Sequence, residues 1–338
     1  MKKLLGCAFL LFVSTLLAPS VPESNAQQKV VSLRYSNFFE TMNPQIGIAE
    51  QWCREIEKRT SGRVKITIYP GATLTPPTQT YDSVVKGIAD IGLSLASFTK
   101  GRFPLTEVID LPVGYKAASQ GNNLVNAFYQ KFKPKEFDET KVMYMQTTPP
   151  LILFFKKNAV SKLEDLKGLK IRGTGTSVRL IQLLGGAPVG LPIGECYDAL
   201  ARGVVDGANL AFEPLKPYRF AEIVNYGTVY SATHVSAIYV VMNKQKWGSI
   251  SPEDQKTIEA INHEWIPKQA KLWDEVDKDG KDFYLQKGGK VIQLSPEEDA
   301  RWTKTLAPML DEYVAAMKAK GLPGDEARQF CADYLKSH

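Results

Sequence analysis

Apolar positions recur along this chain with two alternating periods. Val30-Val31-Ser32-Leu33-Arg34-Tyr35 is an extended apolar run. Ile48, Trp52, Ile56 and their neighbours then return every three to four residues, the spacing of a buried helix face. Gly62 and Val64-Lys65-Ile66-Thr67-Ile68-Tyr69 follow as turn and strand. A second helix is expected from about Thr78 to Lys86, stopped by Gly87, and the wholly apolar or small run Ile91–Leu95 reads as a buried strand. Strands alternating with helices predict βαβ units and a mainly parallel sheet.

The pattern restarts further on. Lys141–Gln146 and Ile152–Phe155 read as strands on either side of Thr147-Thr148-Pro149-Pro150, whose prolines demand an extended crossing between two lobes. From Leu163 to about Tyr230 a second αβ region is expected, with strands at Leu169–Arg172 and Val205–Ala208 and helices at Ser177–Leu184 and Glu195–Arg202. The β-branched run Val235–Met242 is expected to return to the first lobe, so that two connections form a hinge. Ser251-Pro252-Glu253 caps a helix running to about Gln286, with an interruption expected at Pro267. A strand at Lys290–Leu294 and a helix capped by Ser295-Pro296-Glu297-Glu298 follow.

Composition narrows the class. The 338 residues are 44% hydrophobic and 23% charged, which suits two globular lobes rather than a disordered or collagenous chain. Lys2 and Lys3, the largely apolar stretch Leu4–Ala18 and the small-residue site Ser24-Asn25-Ala26 form an export signal, with cleavage expected before Gln27. Cys7 precedes most of the apolar run, which argues against lipidation. Losing residues 1–26 removes two Lys and one Glu, so the formal charge of +6 becomes +5. That excess favours anionic ligands. It does not imply nucleic acid, because both signs alternate along helices, as in Arg54, Glu55, Glu57, Lys58 and Arg59.

Candidate chemistry is sparse. Cys53, Cys196 and Cys331 are widely separated, and His263-Glu264-Trp265 lacks the second histidine of a zinc motif, so no metal site is expected. There is no GxSxG elbow and no nucleotide-binding glycine loop, so no cofactor is implied. One segment stands out. In Leu169-Lys170-Ile171-Arg172-Gly173-Thr174-Gly175-Thr176-Ser177, Arg172 ends a strand and small residues lead into a helix. Ligands bind at that end of αβ sheets, and a guanidinium fork with free N–H groups of the Gly173–Ser177 turn would hold a carboxylate, sulfonate or phosphate. An internal ion pair of Arg172 with an Asp or Glu is the alternative that spacing leaves open.

Several segments taken in order resemble the DctP-type solute-binding proteins of tripartite ATP-independent periplasmic (TRAP) transporters. They are Glu57–Val64 through Tyr69-Pro70, Val84–Ile91, Val108–Pro112, Glu164–Arg172, and Glu195–Leu200 ending in Gly203–Gly207. The likeness runs from about Ser32 to Gly324. It implies an α/β, two-lobed periplasmic binding protein fold with a hinge and a long lobe-spanning C-terminal helix. The expected lobes are 27–147 plus about 233–250, and 148–232, with 251–338 a helical region packing across both. It also implies that a ligand is enclosed on closure, that Arg172 meets the ligand's acid group, and that small and large membrane permease subunits are partners.

Departures from relatives bear on specificity. Leu151-Ile152-Leu153 stands where many relatives carry a second arginine, which favours a monoanion. Asp206-Gly207-Ala208-Asn209-Leu210-Ala211 replaces the Asp-Gly-Gln-Glu-Asn-Pro of sugar-acid receptors. This sets Asn209 one position before their ligand-facing asparagine, and strand neighbours face opposite sides. By position, Phe39 and Phe98 are candidate walls, and Glu40, Thr148, Asn209 and Glu213 candidate polar contacts, with Ser97 nearby. The expected function is periplasmic capture of a small organic monoanion for uptake: a hydroxy, oxo or aromatic carboxylate, or a sulfonate such as isethionate. The rivals are a periplasmic enzyme using Glu40 or Glu213 as base, and a receptor that presents ligand to a sensor kinase.

Overall fold

The computed structural model describes residues 30–99 and 101–338; the expected export signal lies outside the described residues. The first lobe opens with β1 (Val31–Asn37), α1 (Pro44–Arg59), β2 (Val64–Tyr69), α2 (Thr80–Val85) and β3 (Ile91–Leu95). In β1, Leu33 and Tyr35 point inward while Ser32 and Arg34 are exposed. Asn43 caps α1 by accepting from the Gln45 N–H at 2.9 Å, with Pro44 at the first helical position. Its apolar stripe buries Ile48, Trp52 and Ile56 against the sheet. Parallel pairing of β1 with both β2 and β3 follows from the intervening helices.

Next come α3 (Ala118–Phe132) and β4 (Thr140–Thr147), and then β5 (Ile152–Phe155), β6 (Lys170–Arg172), α4 (Thr176–Leu183), β7 (Ala187–Val189), α5 (Ile193–Arg202), β8 (Gly207–Leu210) and β9 (Tyr226–Val229). β10 (Ala237–Asn243) lies antiparallel between β3 and β4. The chain ends with α6 (Lys244–Gly248), α7 (Pro252–Gln286), β11 (Lys290–Gln293), α8 (Pro296–Leu306), α9 (Pro308–Ala319) and α10 (Gly324–Ser337). Two mixed sheets result, ordered β2-β1-β3-β10-β4 and β11-β9-β5-β8-β6-β7. The chain therefore passes between sheets at residues 148–151 and again at 230–236. Because β11 pairs with β9, it passes a third time along α7, a passage that local patterning did not show.

α7 is 35 residues long, about 50 Å at 1.5 Å per residue, and is continuous through Pro267. Pro267 and His263 are both on the solvent side, so water can take the carbonyl that proline leaves without a donor. One end of α7 is fastened to the first lobe: Trp52 donates to Asn262 at 3.0 Å, Trp265 to the Ile48 carbonyl at 3.3 Å, and Trp273 to Gln146 at 2.8 Å. The other end is fastened to the second lobe, where Asp277 accepts from the N–H groups of Phe212 and Glu213, each at 2.9 Å. Gly280 is required there, since a Cβ would run into the Phe212 carbonyl oxygen. The helix is a strut joining both lobes.

Candidate functional site

The cleft between the sheets closes on a cavity of about 80 Å³ for the centres of water-sized molecules. This is several times the room one water needs, and fits a small guest. Elements from every part of the fold reach it. Phe38 and Phe39 come from the loop after β1, Phe98 from the turn after β3, and Thr148 and Leu151 from the crossing; Arg172, Ser177, Asn209 and Glu213 come from the second lobe, and Trp273 from α7.

Arg172 is the only one of these side chains that carries a full positive charge, and it is 5% exposed. β6 is only three residues long and pairs with β7 and β8, so its last residue is delivered to the sheet's carboxyl edge. The Arg172 Nε donates to the Leu191 carbonyl at 3.0 Å, which fixes the guanidinium plane and leaves both terminal nitrogens available. Among the described residues no acid forms an ion pair with it. Burial draws its pKa below the ordinary value, with Cys196 and Tyr218 offsetting only part of the lost hydration. This geometry decides against the internal ion pair. The adjoining turn offers less than its spacing suggests: the Gly173 N–H is bonded to the Val189 carbonyl at 3.1 Å and the Ser177 N–H to Thr174 at 3.1 Å.

A run of aromatic rings forms another wall. Phe38 and Phe39 have centroids 4.2 Å apart, Phe38 meets Phe98 edge-on at 5.8 Å, and Phe39 meets Trp273 edge-on at 5.9 Å. Such edge-to-face packing holds each ring in one orientation. Trp273 is core on one side and cavity wall on the other.

Behind the cavity lies a buried polar chain. Asn209 donates from its amide nitrogen to the Ile152 carbonyl at 3.0 Å, so its oxygen must face Ser177, whose hydroxyl donates to it at 2.7 Å. With that proton committed, His234 Nε2, 3.0 Å from the Ser177 oxygen, has to be the donor. Nδ1 is then the bare nitrogen, and it has no partner. Burial pushes the His234 pKa down to about 3, so the ring is neutral. The histidine therefore cannot take a proton from Ser177; the trio orients Asn209 and Ser177 instead.

Glu213 begins the short turn after β8 and is 7% exposed. Its Oε1 accepts from Asn43 Nδ2 at 3.0 Å, a hydrogen bond between the two lobes. Burial pushes its pKa up to about 7, with the Asn43 bond opposing and Asp277 adding to the rise. Thr148 accepts from the Ser236 N–H at 2.9 Å, tying the crossing to the segment before β10 and leaving its own proton to donate.

Of the residues expected from sequence, the structure brings Phe39, Phe98, Thr148, Arg172, Asn209 and Glu213 to one cavity. Glu40 is not with them; it is exposed, with its carboxylate beside Gly71. Ser97 lies against Gly175 at the seam between lobes. Sequence reasoning missed Phe38, Leu151, Ser177, Ser236 and Trp273 as lining residues. The adjacency of Phe38 to Phe39 and of Ser177 to the Arg172 turn were the available signals.

Comparisons with known proteins converge. Residues 35–316 match the family described as bacterial extracellular solute-binding protein, family 7. A protein of Comamonas testosteroni named outer membrane transporter protein TsaT is 26% identical over 84% of this chain and 85% of its own. A TRAP periplasmic solute-binding protein from Desulfovibrio salexigens, solved in an open complex, is 31% identical, covers 90% of this chain and 95% of that one, and superposes with a TM-score of 0.81. A TRAP solute-binding protein from Rhodoferax ferrireducens, solved with copurified benzoate, is 25% identical, covers 91% and 99%, and has a TM-score of 0.83. With its two-lobed α/β architecture and lobe-spanning helix, this chain belongs to family 7 of the bacterial extracellular solute-binding proteins, the DctP-type periplasmic receptors of TRAP transporters.

Proposed function

We propose that this protein captures one small organic monoanion with a compact apolar or aromatic body and delivers it to the small and large membrane subunits of a TRAP permease. Arg172 carries the reading: a buried guanidinium without an acid partner faces a cavity walled by aromatic rings. A charge held out of water in this way is stable only when a counter-charge arrives, and the fork suits a carboxylate or a sulfonate alike. Leu151 contributes an apolar wall and no second cation, which supports one acid group on the ligand. The benzoate copurified with the Rhodoferax relative is an acid of this shape.

Lobes of 27–147 plus about 233–250, and of 148–232, with 251–338 packed across them, are supported by the placement of β10 in the first sheet. β11 ties the last region to the second sheet as well. Capture takes place in the periplasm after removal of residues 1–26. A receptor is favoured over an enzyme because the Ser177 proton is held by Asn209 and the neighbouring imidazole is a donor, so Ser177 is not an activated nucleophile, and Glu40 lies exposed outside the cavity; recovery of an unaltered ligand tests Glu213 as a base. The test is calorimetry and thermal shift with benzoate, mandelate, 4-toluenesulfonate, neutral sugars and amino acids, with mass spectrometry of the recovered ligand. Binding of an intact monoanion that is lost in Arg172→Ala supports the proposal. Binding of neutral sugars alone, or recovery of an altered ligand, overturns it.

A further inference from the structure

Arg172 accounts for one end of a ligand; Glu213 speaks for another. A carboxylate offers about four acceptor positions, and a buried one is costly unless they are used. Glu213 uses one on the protein, the bond from Asn43. The direction of that bond is fixed, because the Asn43 oxygen is committed to the Gln45 N–H at the start of α1 and its nitrogen must face Glu213. Glu213's backbone is likewise fixed by Asp277. Its second oxygen, Oε2, makes no hydrogen bond and no ion pair among the described residues, although the side chain lines the cavity and is nine-tenths buried. Nor does Arg172 serve it: among the described residues no hydrogen bond or ion pair joins the two side chains, although both line the cavity.

We infer that Glu213 Oε2 is a specificity contact for a hydrogen-bond donor on the ligand, so that the preferred solute is a bifunctional acid whose carboxylate meets Arg172 and whose hydroxyl or amino group, carried away from that acid, meets Glu213. The inference rests on the reading of the cavity as an acid-binding site and narrows its substrate class. The Asn43 bond makes the contact depend on closure, since Asn43 belongs to the first lobe and Glu213 to the second. A ligand without the donor would bury Glu213 with an unmet acceptor, and a site built for a donor discriminates strongly against the analogue lacking it.

The experiment is calorimetry of the full protein at about pH 8.5, above the Glu213 value of about 7 so that Oε2 is ionised and accepts, with benzoate, its meta and para hydroxy and amino derivatives, and 4-formylbenzoate, which presents an acceptor instead. At least one hydroxy or amino derivative should bind roughly tenfold or more tightly than benzoate, and the formyl compound should gain nothing. Glu213→Gln should reverse this order. Asn43 will draw the new amide's oxygen, leaving its N–H₂ toward the cavity, so the formyl compound should then outrank the amino one, while a hydroxyl can still accept. Glu213→Leu should flatten the series. Wild-type affinities for all donor derivatives equal to that for benzoate would overturn the inference, as would an amino preference over the formyl compound that survives Glu213→Gln. The wild-type series decides by itself if a variant fails to fold. Absence of binding by benzoate and by every other monoanion would instead refute the acid-receptor reading, which separates the two failures.

Discussion

Two arginine sites in this molecule, one half-buried against a buried acid and one buried itself, resolve an electrostatic problem differently. Arg63, just after α1, meets Asp254 in the first turn of α7 through two bonds, Nε to Oδ2 at 2.9 Å and Nη2 to Oδ1 at 2.7 Å. Asp254 is 2% exposed, and its bond raises Arg63's pKa while Arg63 lowers that of Asp254. This pair fastens the first lobe to the start of α7. Arg172 is as buried as Asp254 but has only a backbone carbonyl, and burial lowers its pKa. The first site is complete within the protein; the second, on the proposed reading, is completed by the ligand's acid group. On that reading the opposite shifts distinguish a structural arginine from a ligand-binding one.

The sharpest way to break that distinction is to delete each guanidinium. Arg172→Ala should weaken monoanion binding by about 2–5 kcal/mol in calorimetry, while the unliganded protein loses little stability. Arg63→Ala should do the reverse, lowering stability in denaturant unfolding by stranding Asp254, with ligand affinity retained. If Arg172→Ala destabilised the free protein as Arg63→Ala does, the contrast would fail.

Closure offers the next test. Gly175, at the mouth of the Arg172 turn, has φ +55° and ψ −127°, a region that only glycine enters without strain, and a Cβ there would collide with Ser97 of the opposite lobe. Gly175→Ala should reduce affinity by about 1–3 kcal/mol through strain and a cleft that cannot shut. Small-angle scattering with ligand should then show an open form. A third and smaller effect is expected from Arg172→Lys, which keeps the charge but loses the planar fork; roughly tenfold weaker binding at unchanged Tm would fit.

The smallest effect concerns pH. Burial raises Glu213 to about 7, and burial with a smaller contribution from Glu107 raises Asp110 to about 8. Each folded-state carboxyl therefore keeps a proton that the unfolded chain has released, and its stabilising contribution is lost as pH rises through those values. His234, lowered to about 3 against an ordinary 6.5, acts in the opposite sense only below 6.5. With Asp277, raised only to about 6, already largely ionised, the unliganded Tm should still fall between pH 6.5 and 8. Asp110→Asn keeps the oxygen that accepts from the Ala237 N–H at 2.7 Å and should shallow the slope. A flat profile in the wild type would show that neither acid is held neutral.

What the chain's own order determined was whatever depends on neighbours in sequence. Alternation and helical spacing placed β2, β3 and β5 where Val64–Tyr69, Ile91–Leu95 and Ile152–Phe155 were expected, and the capped start of α7 was legible in Ser251-Pro252. Arg172 was visible because a strand end, small residues and a helix start are contiguous. α3, β7 and β9 were not anticipated: α3's amphipathic run is interrupted by Asn122 and Asn126, whose amides turn inward to bond backbone of β4, and the two strands are short, β7 also standing at the sheet edge. Tertiary structure alone decided the rest. Whether Arg172 pairs with an internal acid depends on residues far away in sequence, and none arrived. Trp273 became wall as well as core because α7 passes the cleft, Glu40 was turned out to solvent, and Glu213 was set against Asn43, 170 positions away, by closure of the lobes. Periodicity reports which face of an element is buried; only packing reports what stands opposite that face, and recognition depends on the opposite side.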